Sequence, residues 1–184
     1  MSKLRFTTAL EVFEAFPAAR QLISAAPERA HPIAFLSRLA ASGSAKDALG
    51  FAAFILPRRE AVWWAVQSLK IMLPGAASDP GLKAAEAWVR EPGDATRQAA
   101  LAAGERGDSE APGTWAALAA GYSGGSMIAS HPVPSPPDLT AKSVRIGIVL
   151  AYGRVPATQR EAVLRSSIEA CIRLADDDGA TTGS

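Results

Sequence analysis

Signals for the start of a helix recur along the whole chain, and they constrain the fold more than any other feature. Proline precedes or opens an apolar, alanine-rich segment at Pro17, Pro32, Pro80, Pro112 and Pro156. Proline suits the first helical turn because its missing N–H would have no partner there. The sequence therefore predicts an all-α protein, a compact multi-helix bundle of about eight to nine helices.

Capping signals predict further helix ends. Ser44, with Asp47 three residues later, is close to a capping box in which the two side chains bond each other's backbone N–H groups. Asp94 precedes an alanine-rich segment that Gly104 can end in the left-handed conformation. We expect helices to begin at Ser44 and Asp94.

Two apolar segments differ in how clearly they predict helix. Residues 57–73 are apolar on nearly every side after a charged start, which is typical of a helix in the middle of a fold. Residues 140–153 begin with Thr140 as a possible helix cap, but their β-branched residues give some strand character. Helix is favoured for this second segment, and strand stays open.

A long Gly/Ser/Pro-rich loop covers residues 121–138, where glycines and serines come first and four prolines follow up to Pro137. Prolines at this density exclude a helix and favour an extended course. Such a loop either connects two helical layers or contributes to a partner surface. Residues 176–184 lack large apolar side chains and are predicted to form a disordered tail, which leaves residues 1–175 as a single helical domain.

Composition excludes several functional classes. The net charge is +1, and no basic cluster exceeds the pair Arg58-Arg59, so we expect no nucleic-acid partner. No uncharged apolar segment reaches the roughly 20 residues of a membrane span. A lone cysteine, Cys171, suits a reducing compartment, and we expect a cytoplasmic protein.

Neither a metal site nor a cofactor is expected. His31, His131 and Cys171 are too few and too scattered for a ligand set, and no phosphate-binding glycine motif occurs. Residues 121–125, Gly-Tyr-Ser-Gly-Gly, match the Gly-x-Ser-x-Gly motif of α/β-hydrolases. That motif places its serine on a strand-to-helix turn, whereas a predicted helix precedes Ser123 here. A serine hydrolase using Ser123 and His131 is therefore the less favoured alternative.

Two surfaces are candidates for binding a protein partner. The first is the start of the central helix, where arginine and tryptophan, two residue types enriched at interface hot spots, are concentrated. The second is the glycine-rich loop. The candidate residues are Arg58, Arg59, Glu60, Trp63 and Trp64 in the helix, and Tyr122, Ser123, Gly124, Gly125, Ser126 and Pro134 in the loop.

Four short segments resemble a family of small uncharacterised bacterial proteins over about residues 30–175. The segments are PRREAVWWA (57–65), AAEAWV (84–89), TWAALAA (114–120) and SGGS (123–126), followed by the prolines of the loop. The resemblance implies an association with type VI secretion gene neighbourhoods, and brings no catalytic residues. We therefore expect a non-enzymatic interaction module, an accessory or adaptor of a type VI secretion system, with an immunity protein that binds a toxin as the alternative.

Overall fold

The structure is a computed structural model that describes residues 2–128 and 131–176, with the backbone alone at 126–128, 131 and 132. Its described residues form ten α-helices, two 3-10 turns and one β-hairpin, which confirms the all-α class. The helices are α1 (Ala9–Ala15), α2 (Pro17–Leu22), α3 (Pro32–Ala41), α4 (Ala45–Ile55), α5 (Arg58–Met72), α6 (Pro80–Arg90), α7 (Asp94–Glu105), α8 (Pro112–Gly121), α9 (Leu139–Arg154) and α10 (Arg160–Asp176). The 3-10 turns are Pro74–Ser78 and Ala157–Gln159, and the strands are β1 (Ser126–Ile128) and β2 (His131–Pro134).

A break at Phe16 separates α1 from α2 and brings the helix count above the eight to nine expected. Phe16 has φ −126° and ψ 83°, outside the helical region, because the proline ring of Pro17 clashes with a helical residue before it. Thr8 and Glu11 form a capping box at the start of α1, with each side chain accepting the other's backbone N–H. Hydrogen bonds from the backbone and hydroxyl of Thr7 lower the pKa of Glu11.

Helix α5 is the central element, as the sequence predicts. It packs against α6, α8, α9 and α10. Residues 140–153 lie in a helix, α9, which contacts α4, α5 and α8. Its buried β-branched residues, Thr140, Val144 and Ile148, recur every four residues and therefore share one face of the helix.

Aromatic rings connect the first two helices to the rest of the core. The ring of Phe51 lies 4.8 Å from that of Phe35 and 5.7 Å from that of Phe13, and the rings of Phe16 and Phe54 are 5.5 Å apart. One cluster of buried residues runs from Ala9 to Ala175. Helices α1 and α2 therefore belong to the same hydrophobic core as α4.

Two of the predicted caps lack their local hydrogen bonds. Ser44 is the N-cap residue of α4 as predicted, but its side chain makes no capping hydrogen bond, and Asp47 instead accepts the backbone N–H of Ser24 at 3.1 Å. Thr140 lies inside α9, where its hydroxyl donates to the carbonyl of Ala119 at 3.2 Å. In both cases a non-local partner competes successfully with the local cap.

Helix α7 begins at Asp94 as predicted, but its caps differ from the prediction. Asp94 is the first helical residue and Gly93 is the N-cap, whose N–H donates to the hydroxyl of Thr96 at 3.2 Å. Gly104 lies within the helix, and a Cβ built on it would be 2.6 Å from the side chain of Leu118. Gly104 therefore permits the close packing of α7 on α8 rather than ending α7.

The Gly/Ser/Pro-rich loop contains regular secondary structure that the sequence did not predict. It contains the antiparallel hairpin β1–β2, in which Ser126 pairs with Pro134 and Ile128 with His131. Proline is compatible with a two-stranded sheet because each strand has an edge that needs no donor. The tail predicted to be disordered falls, from residue 177 onward, outside the described residues.

Candidate functional site

The start of α5 meets the glycine-rich loop through Arg58. Its Nη1 donates to the carbonyl oxygen of Ser123 at 2.7 Å. Buried Arg97 lies below the same loop, donates from Nη1 to the carbonyl of Gly121 at 3.0 Å and pairs with Asp94 at 2.7 Å. A Cβ built on Gly125, which has φ +63°, would lie 2.7 Å from Nη2 of Arg97. Two arginines thus hold the base of the loop.

Arg59 and Glu60 contact other parts of the protein than the loop that Arg58 contacts. Arg59 donates from Nε (3.0 Å) and Nη2 (2.8 Å) to the carbonyl of Val89, the penultimate residue of α6. Glu60 lies 3.7 Å from Nζ of Lys3. The predicted helix-start surface is therefore divided, with one part at the loop and the other near α6 and the N-terminal segment.

Trp64 is wrongly assigned to a partner surface. Its side chain is 0% exposed, and its indole Nε1–H donates to the carbonyl of Ser167 in α10 at 2.7 Å. A side chain enclosed in this way cannot contact a partner without unfolding. Trp64 is a core residue that joins α5 to α10.

Trp63 is partly buried and lines two adjoining clefts. The first cleft, of about 340 Å³, lies among Trp63, the α6 end and the N-terminal segment, and the second, of about 620 Å³, lies between α5 and the end of α10. Leu174 lines both. We call the residues around this tryptophan the Trp63 surface: Lys3, Arg59, Glu60, Trp63, Val89, Arg90 and Leu174.

A larger cleft, of about 670 Å³, lies between the α3–α4 turn and α10. One of its two arginines, Arg160, already donates to the carbonyls of Val155 (3.0 Å) and Gly153 (3.2 Å) and lies over the ring of Tyr152. The other, Arg165, pairs with Glu161 at 3.0 Å. The polar groups of Arg160 are thus largely used within the protein. This cleft offers less for recognition than the Trp63 surface.

Ser123 does not occupy the position of a hydrolase nucleophile. It follows α8 rather than a strand, and its hydroxyl donates to the carbonyl of Ala120 at 2.6 Å, a bond typical of the turn after a helix. The side chain of His131 lies outside the described residues. The strand-to-helix turn that activates the serine of a Gly-x-Ser-x-Gly motif is therefore missing at Ser123.

His31, one of the few potential metal ligands in the chain, has a structural role. The ring Nδ1 of His31 accepts the backbone N–H of Ile33 at 3.3 Å and so caps α3. Over the part of the chain that the structure describes, no three His, Cys, Asp or Glu side chains are grouped as metal ligands. In that same part, no helix is both long and apolar enough to cross a bilayer.

Comparison with known protein families gives one match. A family model described as "Family of unknown function (DUF6931)" matches residues 35–175. The chain belongs to the DUF6931 family. No curated protein and no solved structure matches it.

The DUF6931 match covers the Trp63 surface only in part. It includes Arg59, Trp63, Val89, Arg90 and Leu174 but begins after the segment that contributes Lys3. It also begins inside α3, and so leaves out α1 and α2 although both contribute to the core. The folded unit of this DUF6931 protein therefore extends beyond the matched residues.

The thiol of Cys171 should be inert in the folded DUF6931 protein. It is 0% exposed, and burial raises its pKa because the thiolate would be poorly solvated. We expect an aromatic disulfide reagent at pH 8 to leave Cys171 unmodified in buffer and to modify one thiol per chain in guanidinium chloride. Rapid modification in buffer, with helical circular dichroism unchanged, would contradict this.

Proposed function

We propose that this protein is a non-enzymatic helical interaction module that binds a protein partner through the Trp63 surface. The observation that carries the proposal is that Trp63 lines both clefts, with Arg59 and Arg90 beside it. Tryptophan and arginine are the residues most often responsible for binding energy at interfaces. A tryptophan edge between two clefts provides an apolar anchor with charged groups around it.

The charged groups of this surface are held in place before any partner binds. Arg59 is fixed by the Val89 carbonyl, and Arg90 lies 2.7 Å from Glu86. Glu86 also binds Lys70 at 2.7 Å, and the pKa of Glu86 is lowered first by the hydrogen bond from Lys70 and then by that from Arg90. Side chains that are already ordered lose less entropy on binding, which favours affinity.

The loop supports the proposal as a second surface. Arg58 and Arg97 hold its base, while Val133 and Pro134 of β2 are exposed. An exposed hairpin on a fixed base can contact a partner with little rearrangement. We propose that the loop contributes specificity, and the Trp63 surface most of the binding energy.

We further propose that the partner belongs to a type VI secretion system and that the protein is an accessory or adaptor in the cytoplasm. The resemblance of the 57–65 and 114–120 segments to proteins of such gene neighbourhoods supports the first part. The single cysteine of the chain supports the second. An immunity protein would use the same kind of surface, so the identity of the partner decides between the two roles.

Affinity capture from native cells tests the proposal, with Trp63→Ala and Arg59→Glu as variants and Trp115→Ala as the matched control. Trp115 is a partly buried tryptophan that lines neither cleft and donates to the carbonyl of Ser109 at 2.7 Å. We expect Trp63→Ala to weaken binding of the captured partner by about tenfold or more and Trp115→Ala to leave it nearly unchanged.

Three outcomes would contradict parts of the proposal. Equal binding by folded Trp63→Ala would remove the Trp63 surface, and a stoichiometric toxin in place of a secretion component would replace the adaptor role with an immunity role. Labelling of Ser123 by a fluorophosphonate probe, absent in Ser123→Ala, would overturn the non-enzymatic assignment.

A further inference from the structure

Arg59 stands beside Trp63 in the first cleft with donors to spare. Its Nε and Nη2 both donate to the carbonyl of Val89, a neutral acceptor. Among the described residues, no carboxylate lies within 4.0 Å of its guanidinium, and Nη1 makes no hydrogen bond. A guanidinium has five N–H donors, so the exposed Arg59 can donate to a further acceptor and keep its present bonds.

Arg90 brings a second positive charge to the same cleft. It directly follows Val89, whose carbonyl holds Arg59, and both arginines line the first cleft. Glu86 is shared by two cations, because Arg90 and Lys70 each lie 2.7 Å from its carboxylate. One carboxylate neutralises only one of them. The side chain of Arg90 is 69% exposed, so this uncompensated charge is accessible from the first cleft.

The other charged side chains of the two clefts cancel within the described residues. Lys3 lies 3.7 Å from Glu60 in the first cleft, and the second cleft has one cation, Arg173, and one carboxylate, Asp176. The excess of two positive charges therefore stays with the two arginines of the first cleft. Two cations side by side repel each other, and a carboxylate between them relieves the repulsion.

The second cleft favours an apolar side chain. Trp63 forms one wall, and Ala170, Ile172 and Leu174 of α10 contribute the apolar lining. Trp63 and Leu174 also line the first cleft and so lie between the two. An occupant that reaches both clefts has to offer a negative group on one side of this pair and an apolar group on the other.

A segment of protein meets these two requirements better than a polyanion does. Nucleic acid binds through the neutralisation of many phosphates, for which two uncompensated charges are too few. It also has no large aliphatic group to place against Leu174. Asp or Glu next to a large apolar residue supplies both groups, and bonds between arginine and carboxylate are about twice as strong as neutral hydrogen bonds.

We propose that the partner presents an acidic segment to the Trp63 surface. A carboxylate of this segment binds Arg59 and Arg90 in the first cleft, and an adjacent large apolar side chain packs on Trp63 and Leu174 in the second. The inference rests on the proposed function, because it names the chemistry of the partner at that same surface. A basic segment with the same apolar anchor is rejected by the two arginines.

Selection from a random peptide library tests the inference without the native partner. Phage-displayed peptides are selected on the immobilised full-length chain after removal of those that also bind Trp63→Ala. We expect the selected peptides to contain more Asp and Glu, and more large apolar residues, than the unselected library. Selected peptides of neutral or basic composition, or no enrichment of acidic ones, would overturn the inference.

Matched charge variants show whether the two arginines bind the carboxylate. Arg59→Gln and Arg90→Gln should each weaken binding of a selected acidic peptide by about tenfold, measured by fluorescence anisotropy. Arg106→Gln removes the same charge from an exposed residue just after α7, outside both clefts, and should leave the affinity nearly unchanged. Helical circular dichroism checks that the variants are folded. An equal effect of all three variants would attribute binding to net charge and overturn the inference.

Anionic lipid is the competing occupant of a basic surface. Vesicles of phosphatidylserine and phosphatidylcholine that sediment with the parent chain, but not with Arg59→Gln, would assign the surface to a membrane and overturn the acidic segment. Failure of the inference is distinguishable from failure of the proposed function. Selected peptides that need Trp63 but are not acidic remove only the inference, whereas unchanged partner capture by folded Trp63→Ala removes the surface itself.

Discussion

Trp64→Ala is expected to lower the free energy of unfolding by about 3–5 kcal/mol. The indole is 0% exposed at the contact of α5 with α10, and its removal leaves a cavity that helices on several sides can close only partly. The hydrogen bond from Nε1 to the Ser167 carbonyl is lost as well. Urea unfolding followed by helical circular dichroism measures the change.

The adjacent residue provides the matched control. Trp63→Ala removes the same side chain from a partly exposed position, so we expect a destabilisation nearer to about 1 kcal/mol. Urea midpoints that fall equally in the two variants would show that both tryptophans are core residues. That result would also weaken the assignment of Trp63 to a partner surface.

Removal of residues 1–30 is expected to abolish cooperative folding. The deletion takes four large buried side chains from the core, Val12, Phe13, Phe16 and Ile23, and each contributes about 1.5–3 kcal/mol on burial. It also uncovers the rings of Phe35, Phe51 and Phe54. The loss is comparable with the whole stability of a typical domain, about 5–15 kcal/mol. Thermal unfolding and amide chemical-shift dispersion measure the result.

Point variants in α1 show whether the deletion acts through the aromatic core. Phe13→Ala should cost about 3–5 kcal/mol, while Glu14→Ala, an exposed neighbour, should change stability by less than about 0.5 kcal/mol. A fragment starting at His31 that unfolds with the midpoint of the full chain would mean that α1 and α2 are peripheral. It would also place the folded unit at the residues that the family model matches.

Local signals predicted the helices because they depend on residues close in sequence. Pro32, Pro80 and Pro112 open α3, α6 and α8 as expected. Gly43, between α3 and α4, has a positive φ, which glycine adopts readily. Caps were predicted less well. Asp47 and Thr140 each had a local backbone group available, but bond Ser24 and Ala119 instead.

The sequence predicted the start of α5 as one binding surface, because its candidate residues are neighbours along the chain. The structure divides these residues among different surroundings. Arg59, Glu60 and Trp63 belong to the Trp63 surface, whereas Arg58 contacts the loop and Trp64 is buried. Arg97 was missed because nothing in an alanine-rich helix signals that its one arginine is buried under a loop. Lys3, Arg90 and Leu174 come from other segments, and their proximity is a property of helix packing.

The sequence by itself determined the helical class and most helix starts, since proline and capping signals act within a few residues. Tertiary structure decided which of two adjacent tryptophans faces outward, where the arginines point and that the proline-rich loop forms a hairpin. The physical reason is that α5 is apolar on nearly every side. Its rotation is therefore set by the shapes of α6, α8, α9 and α10 around it, and not by its own pattern.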